Sequence, residues 1–208
     1  MSWTKDKYEI ESHPFETFVK PDTKFLVVGT FPTYKNNYKS TFNYFYGGEK
    51  NSFWKIIEKV FNHPFKHDKG NKAIEERQQF LLEKKIGITD MHQKCYRKNN
   101  LSGDEFLFPI ILQDIFALLN KNGSIDRLIL TSRTEAIGAL GLLKTYFLQK
   151  DLELQELERR TDNILEGSFI HKERNIDVFV PYSPSSRVFE TGKITFDDVV
   201  KMYSTCLK

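Results

Sequence analysis

The stretch "IDVFVPYSPSSRVF", residues 176 to 189, joins an apolar run to a segment of very different composition. Residues 176–180 are mostly apolar and β-branched or aromatic, which is typical of a strand inside a sheet. Two prolines, three serines and one arginine follow between Pro181 and Arg187. Prolines fix the backbone, while serine and arginine side chains supply hydrogen-bond donors and a positive charge. We expect this stiff polar segment to form one wall of a site at the end of the strand.

Three other runs have the same strand-like composition. They are "KFLVVG" at 24–29, "KIGITDM" at 85–91 and "DRLILTS" at 126–132. Each is short and apolar through its middle, as expected for a strand that is buried on both faces. With 176–182 they give four predicted strands. The residues 171–175, "HKERN", are predicted to form the turn of a hairpin whose second arm is the fourth strand.

Helical patterns alternate with these strands. The predicted helices cover residues 51–61, 74–85, 108–120, 134–150 and 195–207. Pro109 is expected in the first turn of the third helix, and Thr195 is expected to cap the last. Alternating strands and helices favour an α/β fold with a parallel sheet covered by helices on both faces. Without a linker or a repeat, residues 1–208 are expected to form a single domain.

Composition excludes several classes of protein. The chain has 208 residues, of which 39% are hydrophobic and 28% charged, as in ordinary soluble proteins. Its net charge of +3 does not by itself imply nucleic acid, and charge alone favours a solvated face for the basic stretch 93–100 and for Lys35, Lys39 and Lys50. Cys95 and Cys206 form neither a disulfide framework nor a cluster site. No leader or membrane-length apolar run is evident, so a cytoplasmic protein is expected.

Polar residues follow each predicted strand. In parallel sheets, ligands bind beyond the carboxyl ends of the strands, so these residues are expected to share one edge. They are Thr30 to Thr33, Asp90, Thr131 to Arg133, and the Ser/Pro segment. Asp90 could act as an acid, but a bracing carboxylate is favoured.

Asn51 lies where the long first loop, residues 30–54, meets the first predicted helix. Its side chain could accept hydrogen bonds from the first helical turn, as asparagine commonly does at such positions. An amide could also read one edge of a nucleobase through its paired donor and acceptor. The residues alone favour the cap. His63 and His67 are a close pair, but the intervening proline and the lack of further ligands make zinc improbable.

Four segments together resemble the uracil-DNA glycosylase superfamily, and within it the hypoxanthine- and mismatch-type DNA glycosylases. They are "VVGTFPT" (27–33), "FYGGEKNSFWKII" (45–57), "KKIGITDMHQKCYRKNNLSGDEF" (84–106) and "VPYSPSSR" (180–187). The ordered set of motifs is moderately specific, although each motif is short. The resemblance implies a three-layer α/β/α sandwich with a four-stranded parallel sheet in the order 2-1-3-4.

The implied activity is that of a monofunctional DNA glycosylase. Such an enzyme flips a deaminated or mismatched base, such as uracil or hypoxanthine, out of DNA and hydrolyses its N-glycosidic bond without a metal or cofactor. A monomer is the default in this family. The resemblance assigns Asn51 as the catalytic amide. It places a wall of the base pocket at Gly29, Phe31 and Pro32, and the DNA-contacting loop at Ser183, Ser185, Ser186 and Arg187. Tyr46 and Phe53 are added to the predicted base pocket because their rings could stack on a base.

Further contacts with DNA are expected on physical grounds. The cations of residues 93–100 would contact phosphates and offset the cost of flipping. Arg187, Val188 or Phe189 would fill the vacated stack. One of the rings Phe31, Tyr46 and Phe53 would stack on the flipped base. Phe53 lies on the predicted helix and could instead be a core residue. Arg133 could contact DNA or pair with Glu135 or Asp126.

Two positions depart from the family pattern. Phe31 stands where many members have an aspartate, and Tyr182-Ser183-Pro184 stands where many have a histidine. Both departures argue against strong uracil excision, although the hypoxanthine-type enzymes also lack the acid. A catalytically silent nucleic-acid-binding protein of the same fold is therefore an alternative hypothesis. Hydrolysis of a free nucleoside or nucleotide in the same pocket is another.

Overall fold

A computed structural model describes residues 6–34, 41–160, 162–190 and 192–208. The strands are β1 (Tyr8–Ser12), β2 (Phe25–Gly29), β3 (Ile86–Asp90), β4 (His92–Lys98), β5 (Leu107–Leu112), β6 (Arg127–Leu130), β7 (Glu158–Arg159), β8 (Leu165–His171) and β9 (Arg174–Val180). The α-helices are α1 (Phe53–Phe61), α2 (Gly70–Glu83), α3 (Ile115–Lys121), α4 (Ala139–Leu148), α5 (Ser186–Glu190) and α6 (Phe196–Leu207). A short 3₁₀ helix covers Asp104–Phe106.

The main sheet has six strands in the order β3-β2-β6-β9-β8-β7. The neighbours among β3, β2, β6 and β9 pair in parallel, whereas β8 and β7 are added antiparallel. The predicted α/β class is confirmed. The sheet is nevertheless mixed and six-stranded, not a sheet of four parallel strands. The difference arises because the predicted hairpin forms, with Lys172 and Glu173 in its two-residue turn, and its first arm extends the sheet.

Helices cover both faces of this sheet because successive strand residues point to opposite sides. On one face Val27, Ile129 and Phe179 pack in a core that includes buried residues of α1, α2 and α6. On the other face Leu26, Leu128 and Val178 pack in a second core with buried residues of α3 and α4.

The predicted helix over residues 108–120 is wrong in its first half. Residues Leu107–Leu112 form β5, which pairs antiparallel with β4, and α3 begins only at Ile115. Pro109 lies in a strand at the edge of its sheet, where a residue without an N–H group is tolerated. A short apolar run such as "FPII" has no periodicity that separates strand from helix. The predicted cap at Thr195 is confirmed, since its side chain accepts from the N–H of Asp198.

A second sheet stands beside the carboxyl ends of the parallel strands. It contains β1, β4 and β5 in the order β1-β4-β5, all antiparallel, and the sequence patterns did not predict it. Only Met91 separates β3 from β4, and the N–H groups of Met91 and His92 donate to the carbonyls of Gly29 and Thr30 at 2.9 and 3.1 Å. The small sheet is therefore fixed next to the predicted site. Within the described ranges, no helix is long and apolar enough to cross a membrane.

Candidate functional site

Two predicted motifs that are far apart in sequence meet in the structure. Asn51 and Ser185 pair as an isolated antiparallel bridge, and the N–H of Ser52 donates to the carbonyl of Pro184 at 2.9 Å. The start of α1 is thereby joined to the Ser/Pro segment that follows β9. This pairing brings the predicted catalytic amide and the predicted DNA-contacting loop to the same end of the sheet.

Asn51 stabilises the start of α1. Its Oδ1 accepts a hydrogen bond from the N–H of Phe53 at 2.9 Å, and Ser52 occupies the cap position itself without a side-chain bond. The contact with the first helical turn that the sequence predicted is therefore present, one residue earlier than a regular cap. Because Oδ1 serves the helix, the amino group Nδ2 is the part of the amide that Asn51 would offer to a ligand.

Gly29 ends β2 directly opposite Asp90 of β3. A Cβ atom at position 29 would lie 2.1 Å from Oδ1 of Asp90 and 2.6 Å from the hydroxyl of Tyr46. Any side chain there would push both groups away. Glycine thus allows a carboxylate and a phenol to approach the backbone at the centre of the predicted site.

The three predicted stacking rings have different environments. Phe53 is fully buried and packs against Trp54 and Tyr203, as expected for the alternative in which this ring belongs to the core. Tyr46 stacks on Phe53 with 4.3 Å between ring centroids, and its hydroxyl lies 3.0 Å from Oγ1 of Thr131. Burial raises the pKa of Tyr46 well above its usual value, so it remains a neutral phenol.

Of the three rings, Phe31 has the environment that best suits stacking on a flipped base. It is partly exposed and meets His13 and His92 edge-on, with centroids 5.3 and 6.0 Å away. The next residue, Pro32, accepts a hydrogen bond through its carbonyl from Nη2 of Arg97 at 2.7 Å. The ring of Phe31 is therefore held between two imidazoles, at the position where many members of the family that the motifs resemble have an acid.

His13 pairs with Asp90, and the sequence patterns did not identify this contact. Nε2 of His13 lies 2.9 Å from Oδ2 of Asp90, and their side chains are only 3% and 6% exposed. Nδ1 of His13 lies 2.7 Å from the carbonyl oxygen of Phe15, so both ring nitrogens are engaged. Asp90 was predicted to brace the structure, and its bond to His13 agrees with that interpretation. His13 lies in no motif, so only the fold could reveal it.

A second carboxyl lies beside this pair. Oγ1 of Thr30 donates to Oδ2 of Asp104 at 3.0 Å. Burial raises the pKa of Asp104 to about 6, and the nearby charge of Asp90 acts in the same direction, whereas the bond from Thr30 opposes it. For buried His92, burial and then the charge of Arg97 lower the pKa to about 4. The site therefore contains a neutral imidazole and a carboxyl that titrates close to neutral pH.

The substitution Asp104→Asn should stabilise the protein above pH 6 and change little near pH 4. The pKa of Asp104 is about 6 when folded and about 3.9 when unfolded, so its favourable contribution is complete below pH 4 and lost as pH rises through 6. The gain should reach about 1–3 kcal/mol at pH 7. Urea unfolding at several pH values measures it, with Glu16→Gln as an exposed control. An equal gain at pH 4 and pH 7 would refute the assignment.

The basic stretch 93–100 does not present all its cations to solvent. The Arg97 side chain is 0% exposed, and its guanidinium donates to Oε2 of Glu11 at 2.9 Å and to the carbonyls of Pro32 and Leu101 at 2.7 Å each. Arg97 therefore holds loops together, and its predicted contact with phosphates is corrected. Lys98 is partly exposed and pairs with Asp6 at 2.7 Å. Lys35 and Lys39 lie outside the described residues, while Lys50 is exposed.

Within the Ser/Pro segment, Arg187 is the exposed wedge candidate. It lies in α5 and points away from the core, while Phe189 packs against Phe196 with centroids 5.9 Å apart. Ser183, Ser185 and Ser186 are partly buried, and Oγ of Ser183 accepts from the N–H of Ser185 at 3.3 Å. The segment thus places one cation and three hydroxyls beside Asn51.

Arg133 braces the same segment. Its guanidinium lies 3.8 Å from the ring centre of Tyr182, and Nε donates to the carbonyl of Val180 at 3.1 Å. Glu135 pairs instead with Lys144. The structure therefore does not show the alternative in which Arg133 pairs with Glu135, and the guanidinium stiffens the chain at the end of β9.

Two surface clefts lie away from these residues. One, of about 320 Å³, is lined by Phe116, Phe169 and His171, and the other, of about 610 Å³, by Lys144, Arg159 and Leu165. Neither is lined by a residue predicted for the site. The candidate site is therefore defined by converging side chains and not by the shape of either cleft.

Comparisons with known proteins do not assign the chain to a family. No family model matches the chain, and no curated protein matches its sequence. The resemblance to DNA glycosylases thus rests on the motifs and their placement.

Over the described part of the chain, no group of three or more His, Cys, Asp or Glu side chains could hold a metal ion. His63 packs against the rings of Phe65 and Phe80.

Proposed function

We propose that the protein is a monofunctional DNA glycosylase that excises a deaminated or mismatched base, uracil or hypoxanthine, from DNA. The main support is the bridge between Asn51 and Ser185, which joins two motifs of the resemblance at the carboxyl ends of the parallel strands. Ligands of parallel α/β sheets bind at this edge. A four-stranded parallel unit in the order expected for such enzymes lies within the larger sheet.

In the proposed reaction the target base leaves the stack and enters the site beside Phe31. Flipping costs a few kcal/mol, which contacts to phosphates and filling of the vacated stack would offset. Arg187, exposed at the start of α5, is the group placed to enter the duplex. Ser183, Ser185 and Ser186 would donate to the DNA backbone on either side of it.

Cleavage of the glycosidic bond produces a base that leaves with negative charge and a sugar that develops positive charge. Asn51 cannot take a proton effectively, but its Nδ2 group can donate to the leaving base or orient water. The attacking water needs acceptors, and the carboxyls near this edge are Asp90, which ends β3, and Asp104 of the 3₁₀ helix, which bonds to Thr30 after β2. No lysine takes part in this scheme, so the enzyme would not nick the strand.

One observation favours the silent nucleic-acid-binding alternative. The place of the family acid is filled by Phe31, which packs between His13 and His92, and Asp90 is already bonded to His13. A protein without an activated water would bind DNA and release no base.

A cleavage assay on labelled duplexes distinguishes these functions. Each duplex carries one uracil, hypoxanthine or xanthine, or one thymine opposite guanine, and hot alkali then reveals abasic sites. We expect product from the uracil or hypoxanthine duplex, no break before alkali, and no effect of a chelator. Binding of every duplex without product would contradict excision and support the silent protein. Turnover of free deoxyuridine or deoxyinosine that persists in Arg187→Ala, with no duplex product, would assign a nucleoside hydrolase.

A further inference from the structure

The small antiparallel sheet exposes a concentrated apolar surface. Tyr8, Ile10, Tyr96 and Phe108 are 50%, 56%, 42% and 43% exposed, which is high for large hydrophobic side chains. Of the eleven exposed large hydrophobic residues in the described ranges, six lie in β1, β4 and β5. Large exposed apolar patches of this kind mark interaction sites in soluble proteins. We call the surface formed by Tyr8, Ile10, Tyr96 and Phe108 the outer sheet face.

Strand register places these side chains in contact. Ile10 is opposite Tyr96, and Tyr96 is opposite Phe108, so one apolar row crosses all three strands. The ring of Tyr8 meets that of Phe108 edge-on at 5.7 Å. Side chains directly opposite in neighbouring strands lie about 5 Å apart. The outer sheet face is therefore a continuous platform of three rings and one isoleucine.

The charged strand residues on this face are lysines. Lys98 is opposite Tyr8, and Lys94 is opposite Ser12, so both lysines share the side of the rings. Glu9 and Glu11 alternate to the other side, where Glu11 bonds to buried Arg97. Asp6, which pairs with Lys98, lies just before β1. Among the residues of the three strands, the outer sheet face thus combines rings with lysines and carries no carboxylate.

The geometry points to a binding site for a single-stranded segment of nucleic acid on the outer sheet face. Unpaired bases would stack on Tyr96 and Phe108, and phosphates would lie near Lys94 and Lys98. Aromatic platforms flanked by cations bind single strands in this way, because every base offers a flat apolar face and every nucleotide a negative charge. A second copy of the chain fits less well, since a two-fold contact would bring the same lysines against each other.

The site differs from the one proposed for base excision and does not depend on it. Arg97 lies on the opposite side of β4 and donates to the carbonyl of Pro32 in the first loop. The two sites are therefore connected only through β4 and this buried arginine, and they do not share a ligand-binding residue. Binding of an undamaged single strand requires no lesion and no cleavage. Failure of the excision assay and failure of this inference are therefore separate results.

Fluorescence anisotropy with a labelled oligothymidylate of about 12 nucleotides tests the inference. Tyr96→Thr, which keeps a β-branched residue in the strand, should weaken binding about tenfold, since each stacked base contributes a factor of roughly 5 to 150. Ile170→Thr is the matched control, because Ile170 is a 70% exposed residue of β8 far from the outer sheet face. It should bind as the wild type does. Thermal unfolding of both variants checks the fold.

The salt dependence gives a second measurement. Lys94→Gln and Lys98→Gln should each reduce the slope of log Kd against log salt by about 0.7, the value for one phosphate contact with a single strand. Equal binding of a duplex of the same length would overturn the inference, because paired bases cannot stack on the rings. No binding at low salt would overturn it as well. Self-association that Tyr96→Thr abolishes would assign the face to a second copy instead.

Discussion

Replacing Asn51 with alanine is expected to reduce the rate of base release by about 10²–10³-fold in the excision assay, the usual effect of removing one donor that stabilises developing negative charge. The variant loses the Nδ2 group proposed to contact the base or the water. It also loses the acceptor for the N–H of Phe53. That second loss should lower the free energy of unfolding by about 0.5–2 kcal/mol, as for other contacts of this kind. Single-turnover kinetics and urea unfolding measure the two effects separately.

Asn51→Ser is the matched control for this substitution. Serine keeps an oxygen that can accept from the first helical turn, but it has no amide. We expect it to retain most of the stability and to lose activity as alanine does. Activity within a few-fold of the wild type in Asn51→Ala would contradict the catalytic role and leave Asn51 as a structural residue of α1.

Arg97→Met is expected to lower the free energy of unfolding by about 3–5 kcal/mol. The guanidinium is fully buried and serves three acceptors, namely Glu11, the carbonyl of Pro32 and that of Leu101. Methionine fills much of the volume but leaves a carboxylate and two carbonyls without their donors. Since Pro32 belongs to the first loop, base release should fall too. Urea unfolding and the excision assay measure these losses.

Lys98→Met is the control for Arg97→Met. Lys98 is the adjacent residue, but its ammonium is partly exposed and pairs with exposed Asp6, so its loss should change the free energy of unfolding very little. The double variant Arg97→Met with Glu11→Met should recover part of the lost stability, because it removes the unpaired carboxylate. A similar decrease in the free energy of unfolding in Arg97→Met and Lys98→Met would show that the buried hydrogen bonds of Arg97 add no more stability than an exposed ion pair.

The parts of the fold that have a local sequence pattern could be predicted from the sequence. The four parallel strands follow from short apolar runs, and the hairpin before β9 follows from the polar interruption at 171–175. The start of α6 was predicted from Thr195 as its cap, and the structure adds that Thr195 and Asp198 form a capping box, which depends on nearby residues alone. Such features are local, so the sequence pattern contains most of the information that determines them.

Other features depend on contacts that no local pattern describes. Leu107–Leu112 is a strand because β4 pairs with it, although its composition suits a helix equally well. The sequence left Phe53 either as a ring that stacks on a base or as a core residue, and its full burial depends on how α1 packs in the fold. The bond between His13 and Asp90 joins an N-terminal segment to the end of β3. Only the assembled fold could place these residues.

The bridge between Asn51 and Ser185 also bears on how the protein folds. It links a residue that follows the first parallel strand to one that follows the last, so β3, β6 and β9 must be in place before the two meet. The entropy of closing so long a loop is not offset by one bridge, and prior assembly of the sheet must supply the difference. We therefore expect Asn51 and Ser185 to come together late in folding, after the cores have formed. A kinetic intermediate with native sheet structure would lack the candidate site.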